Sequence, residues 1–326
     1  MCNKSLINYL ITNNILYKKN QSLTKFSYFK TGGNINLIIF PSSISQIQEL
    51  VKYLNNANID DYFVFGNTSN CIFRNNTNID IIITLKKMNS LVIEKNKLTV
   101  SAGVMIPKLV QECVKHGILG FEGLEGIPAT IGGAVYANAG SYGYIISDNI
   151  IRVIAIDKNG RLVEFLKKNL ELDFRTSVFN QGNDCIIVSV EFAIVNQAYT
   201  NINLIKSKIK HLKKHRHKYL EYKLPNVGSV FKTNDIYNNL AKQNFIYYGI
   251  LFFTRAIIYR IIRAKDNKLL NSITFKYFGI SNKGLVSEKT MNTVVNKNED
   301  TELIEKYISK IQKISNNTLE LEIEII

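Results

Sequence analysis

Between Gly120 and Gly143 the chain reads GFEGLEGIPATIGGAVYANAGSYG, a stretch that holds seven of its 18 glycines. Glycines and small residues at this density let a bulky ligand come close to the main chain. The stretch contains neither G-x-G-x-x-G nor G-K-[ST]. A nucleotide held here would therefore be held by something other than a dinucleotide-binding or P-loop fold. A shorter loop, Gly66-Asn67-Thr68-Ser69-Asn70, follows directly on the β-type run YFVF (62–65). Such a turn can offer successive backbone N–H groups to a phosphate, with Thr and Ser hydroxyls as further donors. Read alone, the same five residues also suit an ordinary tight turn.

The rest of the chain mixes helical and strand patterns. In SSISQIQELVKYLNN, Ser43 and Gln46 form a capping-box pair, and Ile44, Ile47, Leu50, Val51 and Leu54 share one helical face. A second helix is expected from about Ile106 to His116, with Gly117 as its stop. Strands are expected at 62–65, 80–85, 91–95, 97–102, 135–139 (VYANA), 150–157, 161–166 and 185–194. Basic and mixed amphipathic helices follow at 202–218 and 300–315, and the last nine residues, TLELEIEII, alternate as a strand. There is no regular β-α-β-α rhythm, so the fold class is α+β.

With 326 residues, 46% of them hydrophobic and 21% charged, the chain can bury a sizeable core and is not globally disordered. No run reaches the roughly 18 apolar residues of a spanning helix. The start, MCNKSLINYLITNN, lacks an uninterrupted apolar signal region and a small-residue cleavage site. A cytoplasmic protein is expected. Lys and Arg exceed Asp and Glu by 41 to 26, but the excess lysine is scattered. That pattern reads as a composition bias, with no nucleic acid partner expected and a small polyanionic ligand compatible. Cys2, Cys71, Cys113 and Cys185 are far apart, which speaks for free thiols in a reducing compartment. His211, His215 and His217 fall in HLKKHRH, where the surrounding cations oppose a metal. No metal site is expected, and monomer is the default.

Seven segments, in order, carry a resemblance: KTGG (30–33), GNTSN (66–70), GLEGIPATIGGAVYANAGSYG (123–143), FRTSVF (174–179), PNVGSVFK (225–232), VSEKTMNTVVN (286–296) and LELEIEII (319–326). Together they span nearly the whole chain, and it resembles the UDP-N-acetylenolpyruvoylglucosamine reductase family of flavoenzymes. The resemblance implies an FAD-binding fold of the vanillyl-alcohol-oxidase type, two α+β subdomains, plus a C-terminal α+β substrate domain. The implied boundaries are 1–58 joined by the strand 318–326, then 59–198, then 199–317. FAD would be held by Gly66, Asn67, Thr68, Ser69 and Asn70 in one loop. In the other it would meet Gly126, Ile127, Pro128, Thr130, Gly132 and Gly133. Only ten residues, both ends counted, run from Phe179 to Val188, so the chain resembles the branch without a long tyrosine-bearing loop.

The reaction so implied is the NADPH-dependent, FAD-mediated reduction of UDP-N-acetylglucosamine-enolpyruvate to UDP-N-acetylmuramate for peptidoglycan. By motif match, Arg175 would hold the pyruvyl carboxylate with its forked guanidinium. Ser229 would donate the proton at C2, and Glu322 would help stabilise the enol. Only register selects Glu322 over Glu320 and Glu324. Lys218 and Lys232 are the candidates for the substrate phosphates. Three departures mark the chain. Thr233-Asn234 follows Lys232 where the family has an Asn-Pro type pair, and Asn282-Lys283-Gly284 replaces a Gly-Gly-Ala type turn, with Thr290 for a His. Residues 236–268 are longer than the family connection and include FIYYGILFFTRAIIYRIIR (245–263), interrupted by Arg255, Arg260 and Arg263. This run is expected to pack in the third domain, with docking on a membrane surface as the other reading. Two alternatives to the reductase stay open here: a related FAD oxidoreductase with a drifted substrate, and a basic RNA- or membrane-surface-binding module.

Overall fold

The computed structural model describes residues 4–194, 201–258, 267–281, 284–297 and 300–326. These form two compact units. Arg260, Arg263 and Asn282 lie outside the described residues.

The first unit takes the chain up to Ser22, then Asn34–Asn67 and Asn78–Lys214. It contains two larger sheets and a two-stranded pair, Gly140–Ser141 with Tyr144–Ile145. One has four strands in the order Leu16–Ser22, Asn34–Phe40, Ile79–Ile83, Phe63–Val64. The first pair is antiparallel and the others are parallel. Leu37 and Ile39 pair with Ile81 and Ile83, and period-two alternation turns this set to the core. The helix Ile44–Asn56 covers that core with Ile47, Leu50, Val51 and Leu54, all buried. Its start departs from the capping box in one respect. Ser43 Oγ accepts from Gln46 N at 3.1 Å, but Gln46 Oε1 reaches back to Ser42 N at 2.8 Å, one residue earlier. The second helix runs Ile106–Lys115, and Gly117 closes it with φ +68°.

The second sheet has five antiparallel strands in the order Leu162–Leu166, Ile150–Ile156, Ile186–Ala193, Lys97–Ser101, Leu91–Ile93. Its central strand is buried from Ile186 through Phe192. Glu191 is tolerated there because Arg152 donates to both of its oxygens at 2.8 Å. One expected strand is not one: VYANA overlaps the helix Ile131–Tyr136. Thr130 caps that helix, accepting from Gly133 N at 3.3 Å, and this local start overrides the β-type pattern of Val135 and Tyr136. After the short turn Val178–Asn180 the chain enters its next strand at Ile186, with only residues 181–185 between.

The second unit gathers Leu23–Gly33, Thr68–Thr77 and His215–Ile326. Its helices are Ile236–Lys242, Phe245–Phe253 with a wider turn over Thr254–Ile258, Asn267–Phe278 and Thr301–Ile314. Thr301–Ile314 begins on Asp300, whose carboxylate accepts from Glu302 N at 2.9 Å. Ile304, Tyr307, Ile308 and Ile311 bury one face, each large apolar side chain contributing about 1.5–3 kcal/mol. Around it lie Phe29, Ile72, Val230, Phe231, Leu240, Met291 and Val294. A hairpin, Val286–Ser287 with Thr290–Val294, and a parallel pair, Cys71–Ile72 with Glu324–Ile325, complete the unit. The helix Phe245–Phe253 packs through Tyr247 and Leu251 and leaves most of its other apolar residues exposed. The helix Ile202–Tyr219 has the extent its pattern predicts, with Ile205 as its buried residue.

Candidate active site

In the first unit the two glycine-rich segments are fastened to each other. Phe65 N is held by Ile83 O at 3.0 Å, and the chain turns at Gly66 directly against Thr130. A Cβ on Gly66 would stand 2.2 Å from Thr130 Oγ1, so no larger residue fits. Asn67 Nδ2 donates to Pro128 O at 2.7 Å, and Lys86 Nζ donates to Asn67 Oδ1 at 2.8 Å. Gly66, Asn67, Pro128 and Thr130 are thus brought together, with Ile127 held by its N–H to Leu124 O at 3.1 Å. Gly126 (φ +86°) and Gly133 are exposed and Gly132 is half-buried, so the segment offers bare main chain. Beneath it, buried Glu122 and Glu125 pair with Lys208 and Lys213 at 3.5 and 2.7 Å.

Two buried acceptors beside this segment, Glu125 Oε2 and Asn138 Oδ1, have no hydrogen-bond partner. Orphaned buried acceptors next to side-chain-free main chain are what a bound polar molecule would complete. The residues present therefore fit a nucleotide-type cofactor such as FAD. Asn138 also ties this segment to the next, because its Nδ2 donates to Asp173 O at 2.8 Å.

Asp173 and Thr176 exchange both backbone hydrogen bonds, at 3.2 and 3.0 Å, leaving Phe174 and Arg175 as the corners of a tight turn. Arg175 takes φ +58°, where an L side chain is disfavoured. Asn180 Nδ2 holds its carbonyl at 3.0 Å, and Arg175 Nη2 donates to Gly140 O at 3.0 Å. The guanidinium carbon lies 5.1 Å from the Phe174 ring centre. The result is a half-buried, permanently cationic fork at the end of the glycine-rich segment.

The second unit holds Thr68, Ser69, Asn70, Ser229 and Glu322. Thr68 sits at φ +53°, rare for a β-branched residue, and its Oγ1 accepts from Tyr28 N at 2.8 Å. Asn70 Nδ2 donates to Glu322 O at 2.8 Å, and Glu322 N donates to Val230 O at 2.8 Å. Glu322 thus lies alongside the residue that follows Ser229. Glu320 and Glu324 are exposed, whereas Glu322 is half-buried. Regular pairing is limited to Glu324–Ile325 and a single bridge from Leu321 to Phe231, so the three glutamates do not share one uniform strand face.

The segment bearing Ser229 is held by a group that pattern reading passes over. Buried Asn292 accepts from Phe231 N at 2.9 Å and donates to Phe231 O at 3.0 Å, while its own carbonyl accepts from Val230 N at 2.8 Å. Its side-chain amide acts as a short piece of strand. Asn296 does similar work, donating to Phe29 O at 2.8 Å and Lys30 O at 3.1 Å. Both lie in VSEKTMNTVVN, so a signal existed, but nothing in the spacing marks an amide as a clamp. Lys86, from the turn Leu85–Lys87, had no sequence signal at all.

Of the two lysines expected to meet the substrate phosphates, Lys232 Nζ is 3.4 Å from Glu320 Oε2, and its backbone N–H donates to Glu320 O at 2.9 Å. Lys218 is exposed at the helix end, 5.0 Å from the Tyr219 ring centre. Lys289, a third cation on this unit, donates to His217 O and, at 2.9 Å, to Leu220 O, and sits 4.2 Å from the Tyr222 ring centre. Thr233 forms the turn into the helix Ile236–Lys242, its Oγ1 accepting from Asp235 N at 3.1 Å.

Residues 35–166 match the FAD binding domain family. With both glycine-rich segments inside that span or at its edge, the fold is an α+β flavin-binding one, and the protein is a flavoprotein. A solved UDP-N-acetylenolpyruvylglucosamine reductase from Thermus caldophilus has the same fold (TM-score 0.68, 20% identity, 95% of this chain and 99% of that one). UDP-N-acetylenolpyruvoylglucosamine reductases of Clostridium tetani and Leuconostoc mesenteroides are 32% and 34% identical over 215 and 224 residues. These cover 66% and 69% of this chain, and 68% and 75% of theirs. That of Streptococcus pneumoniae is 28% identical over 311 residues, 94% of this chain and 92% of its own. The chain belongs to the UDP-N-acetylenolpyruvoylglucosamine reductase family.

Proposed function

We propose that this chain reduces UDP-N-acetylglucosamine-enolpyruvate to UDP-N-acetylmuramate with NADPH and FAD, and that Arg175, Ser229 and Glu322 act on the substrate. FAD held by the glycine-rich loops would supply the redox chemistry, hydride transfer from NADPH to C3 of the enolpyruvyl group. Hydride addition drives negative charge toward the pyruvyl carboxylate. Arg175, always charged and able to donate two parallel hydrogen bonds, stabilises that charge. The Ser229 hydroxyl gives its proton to C2, which an enolate is basic enough to take. Glu322 steadies the enol, directly or through water.

The observation that carries this reading is the bond from Glu322 N to Val230 O, which makes the carboxylate residue and Ser229 near neighbours. Half-burial of Glu322, against the exposure of Glu320 and Glu324, supports the chosen register. Gly66, Asn67, Thr68, Ser69, Asn70, Gly126, Ile127, Pro128, Thr130, Gly132 and Gly133 are the proposed cofactor contacts. Lys232 and Lys218 are the proposed phosphate ligands. The proposed division is 1–58 with 318–326, 59–198 and 199–317, in a cytoplasmic monomer. Family membership favours this activity over a flavin enzyme with a drifted substrate and over a basic binding module.

Ser229→Ala separates the roles. Flavin reduction by NADPH should keep its rate, while reoxidation by the enolpyruvyl substrate should slow by about a hundredfold or more in anaerobic stopped-flow. Equal slowing of both half-reactions would remove Ser229 from the proton-donor role.

A further inference from the structure

Lys86 has no part in the chemistry assigned to Arg175, Ser229 and Glu322. It lies on the tight turn Leu85–Lys87, just after the strand Ile79–Ile83. That strand runs parallel to its neighbour Phe63–Val64, so both leave the sheet at the same edge. One continues into Gly66 and Asn67, the other into Lys86. The turn has little freedom. Thr84 N donates to Ile39 O at 3.0 Å and Met88 N to Leu85 O at 2.8 Å, and Thr84, Leu85 and Met88 are buried. Gly103 packs against the turn so closely that a Cβ there would stand 1.9 Å from Leu85 O. Half-buried Lys86 is therefore carried on a rigid support.

Its ammonium reaches the first glycine-rich loop. Lys86 Nζ donates to Asn67 Oδ1 at 2.8 Å, and Asn67 Nδ2 donates to Pro128 O at 2.7 Å. An ammonium only donates and a carbonyl only accepts, so these two partners fix which way the Asn67 amide faces. The relay ties the turn at Gly66 and Asn67 to the second glycine-rich segment, and its first bond is charge-assisted. A neutral amide also orients the ammonium without cancelling its charge. By contrast, the lysines beneath the second segment, Lys208 and Lys213, pair with the carboxylates of Glu122 and Glu125. Half-burial lessens the screening of the Lys86 charge by water and salt. A fixed cation beside backbone donors favours the anionic part of a dinucleotide, its phosphates.

We propose that Lys86 is a positioning residue for the cofactor, holding the turn through Asn67 and supplying positive charge that favours the phosphates of FAD. This rests on the flavoenzyme reading of the site. The test is titration of the flavin-free full chain with FAD, followed by flavin fluorescence at about 0.05 and about 0.5 M NaCl. Lys86→Gln keeps a polar side chain without the charge. It should weaken FAD binding about tenfold or more at the lower salt, with an affinity that varies less with salt than the parent's. Lys86→Arg keeps the charge and a donor, and should bind FAD within about threefold of the parent. Both flavin-free variants should melt within about 2 °C of the flavin-free parent. A Gln variant that binds FAD within about twofold of the parent would overturn the role of Lys86 alone. So would a loss that the Arg variant shares and that leaves the salt dependence unchanged. A parent chain that takes up no FAD would overturn the flavin site itself, and this role with it.

Discussion

Arg175 occupies a turn corner that glycine or asparagine would fill at lower cost, since left-handed backbone disfavours an L side chain by about 1–2 kcal/mol. The turn is retained because Asn180, Gly140 and the exchanged bonds of Asp173 and Thr176 determine it from several directions. Thr68, at φ +53°, is held in the same way by Tyr28. Both are among the non-glycine residues with positive φ, which also include Lys30, Tyr142 and Glu171, so the strain is not confined to them. Residue identity was legible in FRTSVF and GNTSN, but the strain was not, because it depends on partners that no local pattern names. The forked guanidinium predicts that charge alone is insufficient. Arg175→Lys should lower kcat/KM for the enolpyruvyl substrate by about a hundredfold, with flavin reduction by NADPH unchanged. Activity within a factor of two or so of the parent would remove the fork from the account.

At the scale of elements, the segment bearing Ser229 is an irregular strand completed by a side chain. Asn292 pairs with both backbone groups of fully buried Phe231, so Asn292→Ala leaves an N–H and a C=O without partners. A loss of about 2–4 kcal/mol in denaturant unfolding follows, and a change under about 0.5 kcal/mol would mean that water or a rearranged neighbour replaces the clamp. Helices with full amphipathic stripes, such as Ile44–Asn56 and Thr301–Ile314, were readable in advance. VYANA was not, because its helical start rests on Thr130 and its packing on neighbours far along the chain.

The five-stranded sheet gives a pH prediction. Two hydrogen bonds from Arg152 hold the Glu191 carboxyl below the usual carboxylate range, against the opposing effect of burial. A depressed folded pKa adds stability that is complete above the unfolded value of about 4.3 and disappears as pH falls through the lower folded one. Glu191→Gln should therefore destabilise the protein clearly at pH ~7 and progressively less toward pH ~3, followed by thermal melts. A difference independent of pH would contradict the ion pair as its source.

For the whole molecule, seven short segments in order were enough to reach the family, because close approach of main chain to ligand constrains sequence more tightly than core packing does. The weaving of the chain was not legible. The second unit takes Leu23–Gly33 and Thr68–Thr77 from the first third of the sequence, and Cys71–Ile72 pairs with Glu324–Ile325 across most of the chain. Pairings at that separation leave no periodicity to read.

The central claim is that a flavin held by these loops passes reducing equivalents from NADPH to an enolpyruvyl sugar nucleotide. The most direct test is the visible spectrum of the purified, FAD-loaded protein under anaerobic conditions, first with limiting NADPH and then with UDP-N-acetylglucosamine-enolpyruvate. The account predicts that NADPH bleaches the yellow flavin band and that the substrate restores it, one equivalent for one. A flavin that bleaches but is restored only by oxygen would contradict the assigned substrate, and a protein that retains no flavin would contradict the site itself.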